Sequence, residues 1–234
     1  MLKLVAASTL ALSALAASIP FAHAGNGRPG DDHCGMQFAP AADAMQALTA
    51  ASLASARTLS LASELARYGT ANASASALLV AAGMIEDLDV AAVPGSALSF
   101  TGAEALLADA RTLAGEDAAL VALIDDRLEA GDRGSVFDVE PMTGQGGESW
   151  VDAGDSFLFT RTYDDDTDAV LTLIAGTGDA LDVRVLGADG ELLCEGALVD
   201  GAHSCVWPAV AGLSYDIQIT NQAENSAAFT VWTN

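Results

Sequence analysis

Between Ala41 and Ala130, apolar side chains recur at helical intervals. Met45, Leu48, Leu53, Leu59, Leu61 and Leu65 fall near i, i+4 and i+7, a spacing that lines one side of an α-helix. Tyr68-Gly69 ends this helix, because glycine tolerates the left-handed geometry of a C-terminal cap. A second helix is expected from about Ser74 to Leu88, with Leu78, Leu79, Ala82 and Ile85 on its buried side. Val93-Pro94-Gly95 then breaks the pattern. Thr101 and Glu104 have the spacing of a capping box and open a third helix through Leu106, Leu107, Ala110 and Leu113 to Gly115. A fourth runs from Asp117 to Ala130 and carries Leu120, Ile124 and Leu128. Four helices with short connections predict an all-α bundle over residues 41–130. Its many alanines would let helix axes approach closely.

After Ala130 the pattern lapses. Gly131, Gly134, Pro141, Gly144, Gly146 and Gly147 interrupt any regular period, so residues 131–149 read as a Gly-rich linker. From Trp150 the period falls to two. Phe157 and Phe159 alternate with polar neighbours, as do Leu181, Val183 and Val185, then Tyr215, Ile217 and Ile219, then Phe229 and Val231. Val170 to Ile174 is nearly continuous in apolar character, as a central strand requires. Turn signals recur at Gly176-Thr177-Gly178, Asp189-Gly190, Asp200-Gly201 and Ala211-Gly212. Seven or eight short strands over residues 150–234 predict an antiparallel β-sandwich. The expected class is α+β in two domains, helices first and sandwich second.

Composition narrows the function. The 234 residues hold 32 Asp+Glu against 9 Lys+Arg, a net charge of −23. Nucleic acid is excluded as a partner, because phosphate binding needs a basic footprint. A hydrophobic content of 51% supplies material for a core and excludes a disordered acidic chain.

Residues 1–24 read as a secretory signal peptide. Lys3 precedes an apolar stretch from Leu4 to Ala17, and Ala22-His23-Ala24 gives the small-x-small pattern for cleavage after Ala24. No later stretch offers about 20 apolar residues, so no membrane span is expected in the mature chain. The secreted or periplasmic product would begin with a flexible arm over residues 25–40, and it retains 8 Arg against 32 acids. Its three cysteines are Cys34, Cys194 and Cys205. Cys194 and Cys205 flank a turn-rich segment, and export permits a disulfide between them. Cys34 is left in the arm, as a free thiol or an intermolecular partner.

Three segments together resemble the bacterial pre-peptidase C-terminal domain family: Asp164-Asp165-Asp166-Thr167-Asp168, Leu181 to Leu192 with its Asp189-Gly190 turn, and Ala211 to Asn221. The family pattern sets an acidic turn before a strand, an alternating strand into an Asp-Gly turn, and a Gly-aromatic strand near the end. The resemblance covers residues 150–234. It implies a jelly-roll-like sandwich attached to secreted proteins, with calcium, matrix or polysaccharide as ligands in some members. No protease domain accompanies the module, and aromatic residues are sparse.

Asp164, Asp165, Asp166 and Asp168 are the candidate metal ligands, since a hard cation such as Ca²⁺ takes several carboxylate oxygens. A solvated acidic loop is the plainer alternative, and the spacing is not that of an EF-hand. Catalytic signatures are lacking: there is no His-Glu-x-x-His, no Gly-x-Ser-x-Gly, and His33-Cys34 has no orienting third group. Gly25 to Gly30 matches a dinucleotide-loop spacing without a preceding strand. Asp125-Asp126 and Glu86-Asp87 are paired carboxylates, but adjacent helical positions diverge by about 100°. His203 is expected on the surface, and Trp207 and Trp232 in the core. The expected function is a non-catalytic exported protein whose sandwich contacts a protein, matrix or polysaccharide partner, with Ca²⁺ as the one candidate cofactor. The alternative is an exported hydrolase, or the accessory subunit of one, with an acidic site among the helices.

Overall fold

The computed structural model describes residues 42–130 and 144–234, all within one compact unit. The signal peptide, the arm with His33 and Cys34, and linker residues 131–143 lie outside the described residues. The class is α+β. Among the described residues four helices come first: α1 (Ala42–Ala71), α2 (Ala75–Glu86), α3 (Ala103–Ala114) and α4 (Ala118–Ala130). Nine strands accompany them: β1 (Val90–Ala92), β2 (Gly144–Val151), β3 (Ser156–Thr162), β4 (Thr167–Ala175), β5 (Leu181–Leu186), β6 (Leu192–Ala197), β7 (Ala202–Ala209), β8 (Ser214–Asn221) and β9 (Ala227–Thr233).

Side-chain caps open two of the helices. Ser74 caps α2 by accepting the Ala77 N–H, and Asp117 Oδ1 accepts the Leu120 N–H at the start of α4. The expected capping box at Thr101 and Glu104 does not form. Gly102 occupies the N-cap of α3, without a side-chain hydrogen bond.

The strands form two sheets, ordered β1-β2-β9-β4-β7 and β3-β8-β5-β6. All pairings are antiparallel except β1 with β2, which run parallel. The segment read as wholly helical therefore supplies an edge strand, Val90–Ala92, to the larger sheet. Residues 144–149, read as linker, belong to β2. Their glycines serve a close approach: a Cβ on Gly146 would stand 2.6 Å from the Val231 carbonyl and 2.7 Å from Leu59 Cδ2. Only hydrogen fits between α1 and the sheet there.

Two apolar cores result. One fills the sandwich interior with Leu171, Leu173, Val183, Val185, Ile217, Ile219, Phe229 and Val231. The other lies between the helices and the outer face of the five-stranded sheet, where Leu59, Leu78, Leu107 and Ile124 meet Val170 and Trp232. The buried seam of α1 is Ser52, Ala56, Leu59, Ala62 and Gly69. Met45 and Leu61 of the expected leucine stripe face solvent. Small side chains win the seam because they let the helix lie close to the sheet. Ser52 Oγ reaches Thr172 Oγ1 on β4 at 2.5 Å, and that hydroxyl also meets Ser204 on β7 at 2.8 Å.

Candidate functional site

Four places carry candidate chemistry, of which the sequence nominates the first two. The first is the acidic turn between β3 and β4. Asp164, Asp165 and Asp166 are exposed and Asp168 lies on β4. Asp166 Oδ1 accepts the Ala211 N–H at 2.8 Å, and the Tyr163 carbonyl accepts the Gly212 N–H at 2.8 Å. Asp166 thus pins the β3–β4 turn to the β7–β8 turn, a structural task that spacing did not suggest.

The second is the edge where the two sheets meet. Cys194 on β6 and Cys205 on β7 are joined by a disulfide, with Cα atoms 5.8 Å apart. β6 borders one sheet and β7 the other, so the bridge ties the layers together. His203 is two residues from Cys205 and therefore on the same side of β7. It is not the surface residue expected from the sequence: it is half-buried, and its ring lies over Gly196, where an added Cβ would come within 2.2 Å of the imidazole. Desolvation by burial lowers the His203 pKa, opposed in part by a hydrogen bond to the Ala197 carbonyl. Sequence position held this signal, since His203 and Cys205 share strand parity.

The third is a groove of about 350 Å³ between α1, α3 and β2. Arg67, Asp109, Ser99, Thr101 and Glu148 line it among small α1 residues. Arg67 Nη1 stands 3.5 Å from Glu148 Oε2. One acid of each helical pair is engaged elsewhere: Asp125 takes a two-pronged contact from Arg111, and Glu86 accepts from Arg127 Nε at 2.8 Å.

The fourth is the outer face of the four-stranded sheet. Its side chains pair across strands: Ser156 with Thr220 at 2.9 Å, Thr160 with Asp216 at 2.9 Å and Thr162 with Ser214 at 2.9 Å. Gln218 Nε2 donates to Ser156 at 3.1 Å. Leu158 sits opposite Gln218 and is 65% exposed. Of the tryptophans, Trp207 and Trp232 are buried as expected, whereas Trp150 is 68% exposed on β2.

No described helix is long and apolar enough to cross a membrane. No family model matches the chain, and no curated protein matches it in sequence. Among solved structures, it is similar to the pre-peptidase C-terminal domain of a collagenase from Bacillus anthracis, at 9% identity and TM-score 0.35, over 38% of this chain and 87% of that one. It is also similar to PliG of Aeromonas hydrophila, a periplasmic inhibitor of g-type lysozyme, at 12% identity and TM-score 0.31, over 39% and 84%. The C-terminal CBM6 of LamC, a marine laminarinase of Zobellia galactanivorans, aligns at 12% identity and TM-score 0.27, over 36% and 74%. Likeness at this level assigns no family, ligand or partner to the chain.

Proposed function

We propose that this is an exported, non-catalytic binding protein that meets a protein or polysaccharide partner through the outer face of β3-β8-β5-β6. The asymmetry of the sandwich carries this reading. The outer face of the larger sheet is roofed by α1 and buries Trp232 and Thr172. The opposite face presents Leu158 within rows of hydroxyl, carboxamide and carboxylate groups already held by cross-strand hydrogen bonds. Side chains ordered before binding lose less freedom on binding. Hydroxyls and amides can exchange hydrogen bonds with sugar hydroxyls or peptide groups, and Leu158 supplies an apolar contact.

Export is supported by the amino-terminal signal pattern and by a disulfide, which persists in oxidising compartments. The resemblance of residues 150–234 to pre-peptidase C-terminal domains fits the same reading. Calcium at Asp164, Asp165, Asp166 and Asp168 belongs to it as an ordering element for the β3–β4 turn.

A second reading, an exported hydrolase or its accessory subunit, is favoured by one observation: Asp109 and Glu148 line the same groove. The Arg67 guanidinium beside Glu148 engages one of the two carboxylates. The deciding experiment compares retention on insoluble chitin, peptidoglycan, β-glucan and collagen with hydrolysis of the same materials. Retention without turnover, lost in Leu158→Asp at unchanged melting temperature, is expected. Turnover abolished by Glu148→Gln would overturn the binding reading in favour of the second.

A further inference from the structure

The sheet edge at β6 and β7 holds more than a crosslink. Among the described residues, Cys194 Sγ, Cys205 Sγ and an imidazole nitrogen of His203 all lie within 4.8 Å of one another. A disulfide has no need of a neighbouring base, yet the imidazole is carefully seated. Gly196 leaves room for the ring. Nε2 is buried and has no hydrogen-bond partner. A neutral imidazole carries one N–H and one lone pair. With the N–H on Nδ1, the lone pair falls on Nε2, which has no partner. Buried nitrogens are seldom left so, and an imidazole with an open nitrogen beside two sulfurs is the donor set of a soft-metal site.

We propose that Cys194, His203 and Cys205 form a redox-gated site for Zn²⁺, closed while the disulfide stands and opened by a dithiol reductant. The reductant's two thiols deliver two electrons and two protons to the bridge. Two cysteine thiols form, and the reductant leaves as its own disulfide. Zn²⁺ then displaces one proton from each thiol and binds two thiolates and the Nε2 lone pair, at about 2.3 Å to sulfur and 2.0–2.1 Å to nitrogen, with a fourth position for water. The strands permit the sulfurs to part. β6 is laddered to β5 and β7 to β4, so the ladders survive when the bridge opens. Two soft sulfurs and an imidazole select a thiophilic ion over Ca²⁺ or Mg²⁺.

The test uses the full chain with Cys34→Ser, so that the third thiol contributes nothing. Oxidised and phosphine-reduced samples are titrated with Zn²⁺ against a chromophoric chelator, and with Co²⁺ to read thiolate-to-metal charge transfer. One equivalent is expected on the reduced chain and none on the oxidised one. His203→Ala should weaken the reduced site at least tenfold and alter the Co²⁺ spectrum. Should that variant unfold on reduction, His203→Gln serves the same comparison with the volume kept. Reduced protein binding no more Zn²⁺ than the Cys194→Ser/Cys205→Ser double variant would overturn the proposal. So would histidine variants that bind as tightly as the parent.

Discussion

Ser52 and Thr172, 120 residues apart, meet hydroxyl to hydroxyl at 2.5 Å where α1 crosses β4 of the larger sheet, both fully buried. Thr172 also meets Ser204, so the two changes are unequal. Ser52→Ala leaves Thr172 a partner and should cost about 1 kcal/mol, whereas Thr172→Val strands two hydroxyls and should cost about 2 kcal/mol. For a chain of this size each kcal/mol lowers the melting temperature by about 2–4 °C, a difference that calorimetry resolves.

Gly146 tests how closely α1 lies on the sheet. An added Cβ meets both the Val231 carbonyl and Leu59, and the backbone oxygen cannot step aside without disturbing the β2–β9 ladder. Gly146→Ala should destabilise by about 1–3 kcal/mol. Gly154→Ala in the β2–β3 turn meets nothing in space, and its cost comes only from its positive φ of 74°. Paired denaturant curves separate the two causes.

Tyr163 supplies a pH signature. Desolvation raises its pKa above the usual 10, opposed by the hydrogen bond to Thr233 and by Arg161, which lies over the ring. An unfolded tyrosine ionises near pH 10. The folded state keeps its proton longer, so the contribution is fully present below pH 10 and is lost as pH rises through the folded value. Tyr163→Phe should flatten the alkaline limb of a stability–pH profile and cost about 1 kcal/mol at neutral pH through the lost hydrogen bond.

The acidic turn separates calcium from capping. If Ca²⁺ binds there, millimolar Ca²⁺ raises the melting temperature, because a ligand of the native state alone must stabilise it. Asp164→Asn with Asp165→Asn should abolish that rise. Asp166→Ala should lower the melting temperature with or without calcium, since it also removes the Ala211 cap. An unchanged melting curve across the titration would retire calcium and leave the cap.

Much of the fold was legible because its cause is local. Ser74 sits where its hydroxyl can accept an amide, and Leu181, Val183 and Val185 alternate because one side of their sheet is solvated. What escaped depends on partners distant in sequence. Hydrophobicity ranks leucine above alanine and serine, so the stripe through Met45 and Leu61 stood out, yet the seam went to Ser52, Ala56 and Ala62. Glycines 144, 146 and 147 resemble a linker until Trp232, Leu59 of α1 and the Leu98-Ser99 segment are packed against them in turn. The same holds at the sites. Cys194 and Cys205 could be paired by spacing and compartment, but the seat of His203 depends on Gly196 across the sheet edge. The Arg111–Asp125 and Arg127–Glu86 pairings, which engage the helical acids, likewise follow from helix packing.

The binding face is tested most directly by an NMR titration of the isotope-labelled chain with soluble β-glucan, chitin oligosaccharides, peptidoglycan fragments and collagen peptides. At least one ligand should shift the amides of Ser156–Thr162 and Ser214–Thr220 while those around Arg67, Asp109 and Glu148 stay in place. Shifts confined to the groove at those three residues, or no shifts with any ligand, would contradict it.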